Sequence, residues 1–408
     1  MPADNRQFSR VHDLIIGGAG PTGLMLAGEV AAAGRSVLVL EQAANPVSPL
    51  KTEPLGRRGL TVPTVEAFEQ RGLLERLRRR DVEGDGQRDR PLGHFAGIDF
   101  FAERVAPSAW GRRVPNAVMP MAIDIASIEA VLAERATARG VAIVYGHALE
   151  SFDQDSEGVQ IWAGGQRFTA RWLAGCDGGR STVRKLAGIG FPGTAPEFTG
   201  YSVQATPDAS ALVPWGRTLF PGGVCIHAPR DAFWLAEWDG GAAHRFTPLT
   251  REHIEAVLHR ITGTEIRLGD LRLASSWTDR TCHAATYCRG RVLLAGDAAH
   301  IHSPIGGQGL NLGIGDAIAL GRALVTVLRG DAGPERLDLY ERQRRPVVSE
   351  VLERSRAQVA LLRPDAGSRA LEKIMRDLIA TGDGATYFAE RVAGIATSYP
   401  AVGPEDVR

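Results

Sequence analysis

The sequence is poor in the features that mark disulfide-stabilised, metal-binding or strongly charged proteins. It has four cysteines, and none forms the close pairs that zinc and dithiol sites require. Its 47 basic and 47 acidic side chains cancel, so no net field favours nucleic acid or an anionic membrane surface. These absences predict no metal, no nucleic-acid partner and no membrane partner, and they favour reduced thiols in the cytoplasm. The cysteines are Cys176, Cys225, Cys282 and Cys288.

A secretion signal and a long uninterrupted apolar run are also missing from the N-terminal region. Residues 1–13 are polar and show no basic-then-apolar pattern. The apolar stretch that follows is broken by glycines between positions 17 and 23 and by Glu29, which favours a buried strand and a tight turn over a bilayer span. With 408 residues, the chain is long enough for two packed domains, or for one large domain with a smaller one inserted. We therefore expect a soluble, cytoplasmic protein that acts on a neutral or small organic molecule.

The sequence does contain a compact βαβ pattern near its start. Residues 13–17 and 36–41 are predicted strands, and residues 24–33 have helical composition. The first loop has the G-x-G-x-x-G form, in which the first glycine permits a tight turn, the second lets the backbone approach a pyrophosphate and the third lets helix and strand pack closely. Glu41 ends the second strand, where an acid can accept hydrogen bonds from ribose hydroxyls. This pattern predicts a dinucleotide site without separating FAD from NAD. The loop residues are Gly18, Gly20, Pro21, Thr22 and Gly23.

Two further motifs follow along the chain. An apolar strand leads into Asp177 and Gly178, where a sharp turn is expected, and Ser181 is placed to cap the next helix. A plain Asp-Gly hairpin is the alternative interpretation. Asp297 follows another predicted buried strand, and a proline- and glycine-rich loop then leads into a long helix. A cofactor ring against this loop would face the positive end of the helix dipole on the side of Asp316. The loop residues are Pro304, Gly306, Gly307, Gln308, Gly309, Leu310 and Asn311.

The rest of the chain alternates between helical and strand patterns. Residues 128–139 predict an amphipathic helix, and helical patterns return at 316–328 and 346–362. Residues 199–277 carry four of the tryptophans among Gly-Gly turns and short strands, which predicts a second, β-rich layer. The charged segment 71–90 predicts a solvated helix end and a loop.

In this order, the three motifs resemble the dinucleotide fingerprint, the Asp-Gly motif and the Gly-Asp motif of the class A flavoprotein monooxygenases, the p-hydroxybenzoate hydroxylase family. Within it, the chain is most similar to polyketide- and antibiotic-tailoring hydroxylases, over about residues 14–346. The resemblance implies an α/β fold with a Rossmann-like FAD-binding domain, a β-sheet substrate domain and C-terminal helices. It implies FAD-binding segments at 1–78, 105–190 and 278–345, substrate-domain segments at 79–104 and 191–277, and a helical region at 346–408 that either ends the chain naturally or begins a thioredoxin-like domain.

The resemblance also implies which residues hold FAD and NAD(P)H. Arg58 matches an arginine that family members use near a mobile flavin. Two positions depart from the family pattern, because Asp124 or Ile125 stands where a glutamine is common and residues 316–320 lack the usual asparagine. By this resemblance, Gly18, Gly20, Pro21, Thr22 and Gly23 bind the FAD pyrophosphate, and Glu41 binds the adenosine ribose. Asp297 binds the ribityl or pyrophosphate part, and Pro304 with residues 306–311 lies at the isoalloxazine edge. Asp177 and Gly178 serve both FAD and NAD(P)H.

The implied reaction is aromatic hydroxylation by a monomer or homodimer. NAD(P)H reduces FAD, O2 forms a flavin C4a-hydroperoxide, and the distal oxygen passes to an aromatic, polycyclic polyketide substrate. No nucleophile, base and orienter set is visible, so the catalytic residues are unknown and His227 and His283 are only candidate bases. His300 and His302 lack a nearby third ligand, which favours a supporting or surface role over metal binding. The substrate is expected between the flavin loop and the β-rich layer, against Phe220, Trp215, Trp234 and Trp238.

Several alternatives stay open. The same flavin peroxide can insert oxygen beside a ketone in a Baeyer-Villiger reaction, and a flavin-binding pathway partner without turnover would carry the same motifs. Geranylgeranyl reductases and flavin halogenases also begin with G-x-G-x-x-G. A halogenase should carry a Trp-x-Trp-x-Ile-like segment and a lysine for hypohalous acid. The sequence shows neither, and its few lysines are Lys51, Lys185 and Lys373.

Overall fold

The computed structural model describes residues 10–81, 91–106, 119–208, 213, 215–244 and 247–395, and its largest element is an eight-stranded sheet. Leu14, Ile15 and Ile16 are fully buried, as expected for a parallel sheet that is covered on both faces. The parallel strands are, in spatial order, β18 (Val292–Leu294), β10 (Gln166–Gly175), β1 (Val11–Gly17), β2 (Val37–Glu41) and β7 (Ala142–Tyr145). Antiparallel strands β8 (Leu149–Gln154), β9 (Val159–Ala163) and β17 (Cys288–Arg289) complete the sheet.

Helices cover this sheet and link it to the rest of the molecule. The first begins at Pro21, a position where the missing N–H of proline costs nothing. It packs against the helices Ile125–Thr137 and Gly309–Arg329. Close approach to one of these requires Gly321, because a Cβ there would lie 2.8 Å from the Cβ of Glu29. The helices are α1 (Pro21–Ala32), α2 (Val62–Glu69), α3 (Leu74–Arg78), α4 (Ile125–Thr137), α5 (Thr182–Leu186), α6 (Arg251–Thr262), α7 (Gly309–Arg329), α8 (Leu337–Leu362), α9 (Ala366–Ile379) and α10 (Gly382–Val392).

A second sheet is antiparallel and has two different faces. Alternate residues such as Tyr201, Cys225 and Phe233 pack against the apolar side of α6. The other face packs on a separate apolar cluster that includes Phe198 and Phe388. The strands are, in spatial order, β12 (Gly216–Phe220), β13 (Gly223–Ala228), β14 (Ala232–Glu237), β11 (Thr199–Pro207) and β15 (Leu268–Thr278). The predicted β-rich layer is therefore confirmed.

Three short strand pairs lie outside the two large sheets. Phe95 and Phe100 of one hairpin join the cluster of Phe198 and Phe388, so this hairpin and the C-terminal helices pack together against the second sheet. The pairs are β3 (Arg57–Leu60) with β6 (Met121–Asp124), β4 (Gly93–Phe95) with β5 (Ile98–Phe100), and β16 (Cys282–His283) with β19 (His300–Ile301).

The structure corrects several predicted boundaries. The helix predicted at 316–328 begins at Gly309, so Asp316 lies inside α7 and not at its positive end. The helix predicted at 346–362 begins at Leu337 and continues through Pro346, because its apolar side, which includes Val348, is buried. The helix predicted at 128–139 runs from Ile125 to Thr137. The carboxylate of Asp124 accepts a hydrogen bond from the N–H of Ser127 at its start.

In the described part of the charged segment 71–90, Glu75, Arg78, Arg79 and Arg80 are exposed, as predicted for a solvated helix end, whereas Arg71 is largely buried. Arg71 donates two hydrogen bonds to Glu29 of α1, at 2.9 and 2.6 Å, and Arg135 of α4 donates another to the same carboxylate at 2.7 Å. These three side chains are all largely buried. Residues 82–90 lie outside the described part of the chain.

Among the residues that the structure describes, one helix is apolar and long enough to cross a membrane by composition and length. It is α7, and 61% of its most apolar window is buried inside the molecule, as in the core helix of a globular protein.

Candidate active site

The glycine loop between β1 and α1 combines a tight turn with an open cradle. Gly18 has a φ of 103°, and a Cβ there would clash with the carbonyl of Cys176. A Cβ at Gly23 would clash with the carbonyl oxygen of Gly18. A Cβ at Gly20 would meet nothing within 4 Å. The outer glycines are therefore required by packing, whereas the middle glycine borders open space at the N-terminus of α1.

Glu41 lies beside this loop at the end of β2. Its Oε2 accepts a hydrogen bond from the N–H of Ala19 at 2.7 Å, and its Oε1 accepts one from the N–H of Ala43 at 2.9 Å. These contacts fix the carboxylate next to the cradle. A carboxylate has about four lone-pair sites, so acceptor capacity remains for sugar hydroxyls.

The Gly-Asp turn follows β18 and faces the same cradle. Asp297 lies in a short 3-10 helix, Gly296–Ala298. It is exposed, although the residues on either side of it are buried. Desolvation by the surrounding protein raises the pKa of Asp297, and the nearby His300 partly opposes that rise. Thr22 of α1 lies within 2.7 Å of where a Cβ of Gly296 would be, so the glycine loop and the Gly-Asp turn are in direct contact.

A buried ion-pair network supports the Gly-Asp turn from behind. Asp316 of α7 accepts hydrogen bonds from the N–H of Gly296 at 3.0 Å and from Arg344 of α8 at 2.7 Å, and its Oδ2 lies 2.5 Å from Nε2 of His300. Burial alone would raise the pKa of Asp316, but His300 and Arg344 lower it overall. The sequence motifs did not reveal this network, because its residues lie on three different elements. The segment 340–346, Tyr-Glu-Arg-Gln-Arg-Arg-Pro, contains Arg344 and is a sequence signal that could have indicated it.

The loop before α7 is held from several sides. Gly306 and Gly307 have φ values of 96° and 63°, and Gln308 donates to the carbonyl of Gly306 at 3.1 Å. The amide of Asn311 donates to the carbonyls of Gly59 and Gly307, at 3.0 and 3.3 Å, and accepts from the N–H of Thr61 at 2.9 Å. Asn311 is thus buried and bound within the protein, where it ties this loop to β3.

Arg58 lies on β3, next to Gly59. Its Nη1 donates to the carbonyls of Leu55 and Arg57, both at 2.8 Å, and burial lowers its pKa. The structure therefore places Arg58 on the strand that Asn311 ties to the loop before α7.

The Asp-Gly turn follows β10, the parallel neighbour of β1. Ser181 caps α5 by accepting from the N–H of Arg184 at 2.9 Å, as predicted. Asp177 joins this cap, because its Oδ2 accepts from the N–H groups of Thr182 and Val183 at 2.7 and 3.1 Å. Its Oδ1 is buried and has no hydrogen-bond partner within the described part of the chain. The guanidinium of Arg184 donates to the carbonyl of Ala298 at 2.8 Å, which links the Asp-Gly turn to the Gly-Asp turn.

Two of the aromatic residues expected to line the substrate cavity lie on the wrong side of the second sheet. Trp215 stacks on His227 with ring centroids 4.1 Å apart, and His227 stacks on Phe233, which packs against α6. Phe220 packs against the same cluster. The prediction for Trp215 and Phe220 was wrong, because Phe220 points to the α6 side of β12 and Trp215, just before that strand, stacks on a side chain of the same face. His227 is equally unsuited as a base at the flavin side.

The opposite face of the second sheet turns toward the loop before α7. Trp234 stands in register with Ile226 and Ser202, and Trp277 donates to Ser202 at 3.1 Å. Ile226, Trp277 and Trp238 pack against the same cluster as Ile305 of the loop. The apolar face and the loop therefore adjoin one another.

The remaining histidines of interest, His283 and His302, are partly buried and favour the neutral state. His283 lies 2.6 Å from the hydroxyl of Tyr287, and desolvation, with Arg345 and His300, lowers its pKa to about 4. Burial also lowers the pKa of His302 to about 4, although its Nδ1 lies 2.6 Å from the carbonyl of Ser303. Among the described residues, no group of three or more His, Cys, Asp or Glu side chains is arranged to hold a metal ion.

Comparison with known proteins identifies the family. The family described as FAD binding domain matches residues 11–355. The chain belongs to this family. The site fits the cofactor, because the Gly20 cradle leaves room for a pyrophosphate and the buried Oδ1 of Asp177 lacks a partner. The protein is an FAD-binding protein of the p-hydroxybenzoate hydroxylase type, as predicted.

Individual relatives are similar over nearly the whole chain. A monooxygenase of Claviceps purpurea is 38% identical over 96% of this chain and 78% of the relative. The 12-dehydrotetracycline 5-monooxygenase/anhydrotetracycline 6-monooxygenase of Streptomyces rimosus is 37% identical, again over 96% of this chain and 78% of the relative. The structure of the anhydrotetracycline hydroxylase OxyS from Streptomyces rimosus has a TM-score of 0.81 at 34% identity, covering 97% of this chain and 78% of that chain. A Diels-Alderase of pyrroindomycin biosynthesis has a TM-score of 0.82 at 34% identity, covering 94% of this chain and 81% of that chain.

Proposed function

We propose that this protein is an FAD-dependent monooxygenase that uses NAD(P)H and O2 to hydroxylate a polycyclic aromatic compound of the polyketide type. The observation that carries the proposal is that the loop before α7, where the flavin is expected, lies beside an apolar face of the second sheet. The loop before α7, which contains Ile305, adjoins the apolar sheet face of Ile226 and Trp277. A flat aromatic substrate fits between such surfaces, because aromatic side chains offer large apolar area and defined ring geometry. The tetracycline-modifying relatives support the same substrate class.

The residues of this chain supply binding and orientation for the cofactor. The open cradle at Gly20 and the N-terminus of α1 receive the pyrophosphate, and Glu41 accepts from the adenosine ribose. Asp297 holds the ribityl or pyrophosphate part, and Asp177 supplies its unpartnered oxygen from the neighbouring turn. The remaining proposed contacts are Gly18, Pro21, Thr22, Gly23, Arg58, Gly178, Pro304, Gly306, Gly307, Gln308, Gly309, Leu310 and Asn311.

When bound, FAD supplies the electron transfer from NAD(P)H and the activation of dioxygen. The protein orients the substrate ring against the loop before α7 and excludes water from the apolar interface. The proposal requires no nucleophilic side chain. His283 is held neutral by burial at pH 7 and lies against Tyr287, so we assign it a structural role. We further propose a cytoplasmic location and a monomeric or homodimeric state.

The direct test uses the purified, FAD-reconstituted protein with a panel of polycyclic phenols. We expect stoichiometric FAD, oxidation of NADPH or NADH that is accelerated by the substrate, and a product that has gained one oxygen atom. A Baeyer-Villiger reaction would convert a ketone to an ester instead. A structurally similar protein is a Diels-Alderase, so the fold also occurs in a protein named for a different reaction. If this chain bound FAD without transferring oxygen, the substrate would not accelerate NAD(P)H oxidation.

A further inference from the structure

A second cavity lies between α2, α7 and α8, away from the glycine loop and from the apolar face of the second sheet. Its volume is about 220 Å³. Apolar side chains from all three helices form its walls, and Asn311 stands at one edge. The apolar walls include Pro63, Ile314, Ile318, Leu339 and Val347.

Arginines dominate the charge around this cavity, and two of them lack an ionic partner. Arg71 and Arg344 also line it, but their charges are satisfied by Glu29 and Asp316. Arg322 and Arg336 have no carboxylate within salt-bridge distance among the residues that the structure describes. Nε of Arg336 is buried without a hydrogen-bond acceptor.

The single carboxylate on the cavity wall does not cancel this charge. Glu66 also lines the cavity, and burial together with the nearby Glu69 raises its pKa. The exposed Arg322 and the half-buried Arg336 therefore outnumber the single carboxylate, which leaves a net positive charge beside an apolar hollow. A cavity with mostly apolar walls and a few convergent polar groups is the usual form of a small-molecule site.

We propose that this cavity is a second ligand site, which binds a small organic anion with an apolar ring. Arg322 and Arg336 hold its carboxylate or sulfonate, because guanidinium groups pair with planar anions through charge-assisted hydrogen bonds. Ile318 and Leu339 contact the ring. Asn311 connects this site to the loop before α7, since its amide donates to the carbonyl of Gly307 at 3.3 Å.

The test is calorimetric titration of the FAD-loaded protein with 2-naphthoate, and it does not depend on turnover. We expect the double variant Arg322→Gln/Arg336→Gln to bind at this site at least about ten-fold more weakly, the loss of one charge-assisted hydrogen bond or more. The matched control is Arg329→Gln, which removes an exposed arginine of the same helix outside the cavity and should leave binding unchanged. The neutral isostere 2-naphthamide should bind at least about ten-fold more weakly than 2-naphthoate.

A second variant separates this site from the active site. Ala319→Trp fills the cavity without changing its charge, and it should remove one 2-naphthoate site while FAD content stays the same. If the double variant loses its FAD or fails to fold, the Ala319→Trp result decides. The proposal is overturned if 2-naphthoate binds the filled variant as it binds the wild type, or if 2-naphthamide binds equally well.

Discussion

At the scale of single residues, the glycine loop meets two separate demands. Gly18 and Gly23 are required by the protein itself, because a Cβ at either position would clash with backbone carbonyl atoms. Gly20 has an ordinary φ of −74° and open space around it, so only a bound pyrophosphate gives the protein a reason to exclude a side chain there. The spacing of these glycines was readable in the sequence, since each role follows from a fixed position in the turn.

Replacing two of these glycines should separate cofactor binding from stability. Gly20→Ala should leave the Tm of the apoprotein unchanged but weaken FAD binding by about ten-fold or more, since the methyl group occupies the space of the phosphate. Gly23→Ala should destabilise the apoprotein by about 1–3 kcal/mol through overpacking. Thermal unfolding and flavin fluorescence titration measure the two effects. Equal losses of stability in both variants would contradict the assigned roles.

The buried Asp316 predicts a pH dependence of stability. Its pKa in the folded protein is lowered below the ordinary value of about 3.9, so its contribution is present above that pH and is lost as the pH falls toward the folded pKa. Asp316→Asn should cost about 3–5 kcal/mol at pH 7, because the buried charge of Arg344 loses the carboxylate of Asp316 that compensates it. Urea unfolding at several pH values should show a flatter acid dependence in the variant. Parallel curves for the two proteins would refute this account.

At the scale of elements, the strands and the motif turns were better predicted than the helix boundaries. The apolar run of β1 and the cap at Ser181 follow from local sequence, and both were confirmed. The start of α7 at Gly309 and the passage of α8 through Pro346 depend on packing against other elements. Local sequence alone therefore could not fix them.

The ion-pair cluster around Glu29 should hold three helical segments together. Glu29→Gln in α1 removes the carboxylate that balances the buried charges of Arg71 and Arg135. We therefore expect the free energy of unfolding to fall by about 3 kcal/mol or more. Glu75→Gln, at an exposed ion pair of α3, is the control and should change stability by less than about 1 kcal/mol. Chemical denaturation compares the two variants. A loss for Glu29→Gln no larger than that of the control would show that the cluster does not stabilise the packing.

At the scale of the whole molecule, function depends on which face of the second sheet turns toward the flavin loop. The tryptophan-rich composition predicted this sheet, but it could not assign faces until the register of β11, β13 and β14 was known. Trp215 and Trp234 belong to the same sheet region and were predicted to share a role. The structure places them on opposite sides.

This placement predicts different effects for two similar substitutions. Trp234→Ala should raise the KM for the aromatic substrate by about ten-fold or more, since it removes a large apolar side chain from the substrate face. Trp215→Ala should leave KM nearly unchanged, because Trp215 is 67% exposed and its ring stacks on His227 away from the expected substrate face. Steady-state kinetics of both variants measures the difference. A larger change for Trp215→Ala would place the substrate on the wrong face.

The central claim is that FAD and the adjoining apolar face together carry out oxygen transfer to an aromatic ring. The most direct measurement is the reaction of the FAD-loaded protein with NAD(P)H, a polycyclic phenol and isotopically labelled dioxygen, followed by mass spectrometry of the product. We predict substrate-accelerated NAD(P)H oxidation and one labelled oxygen atom in a hydroxylated ring. A product without labelled oxygen, or NAD(P)H oxidation that no aromatic substrate accelerates, would contradict the claim.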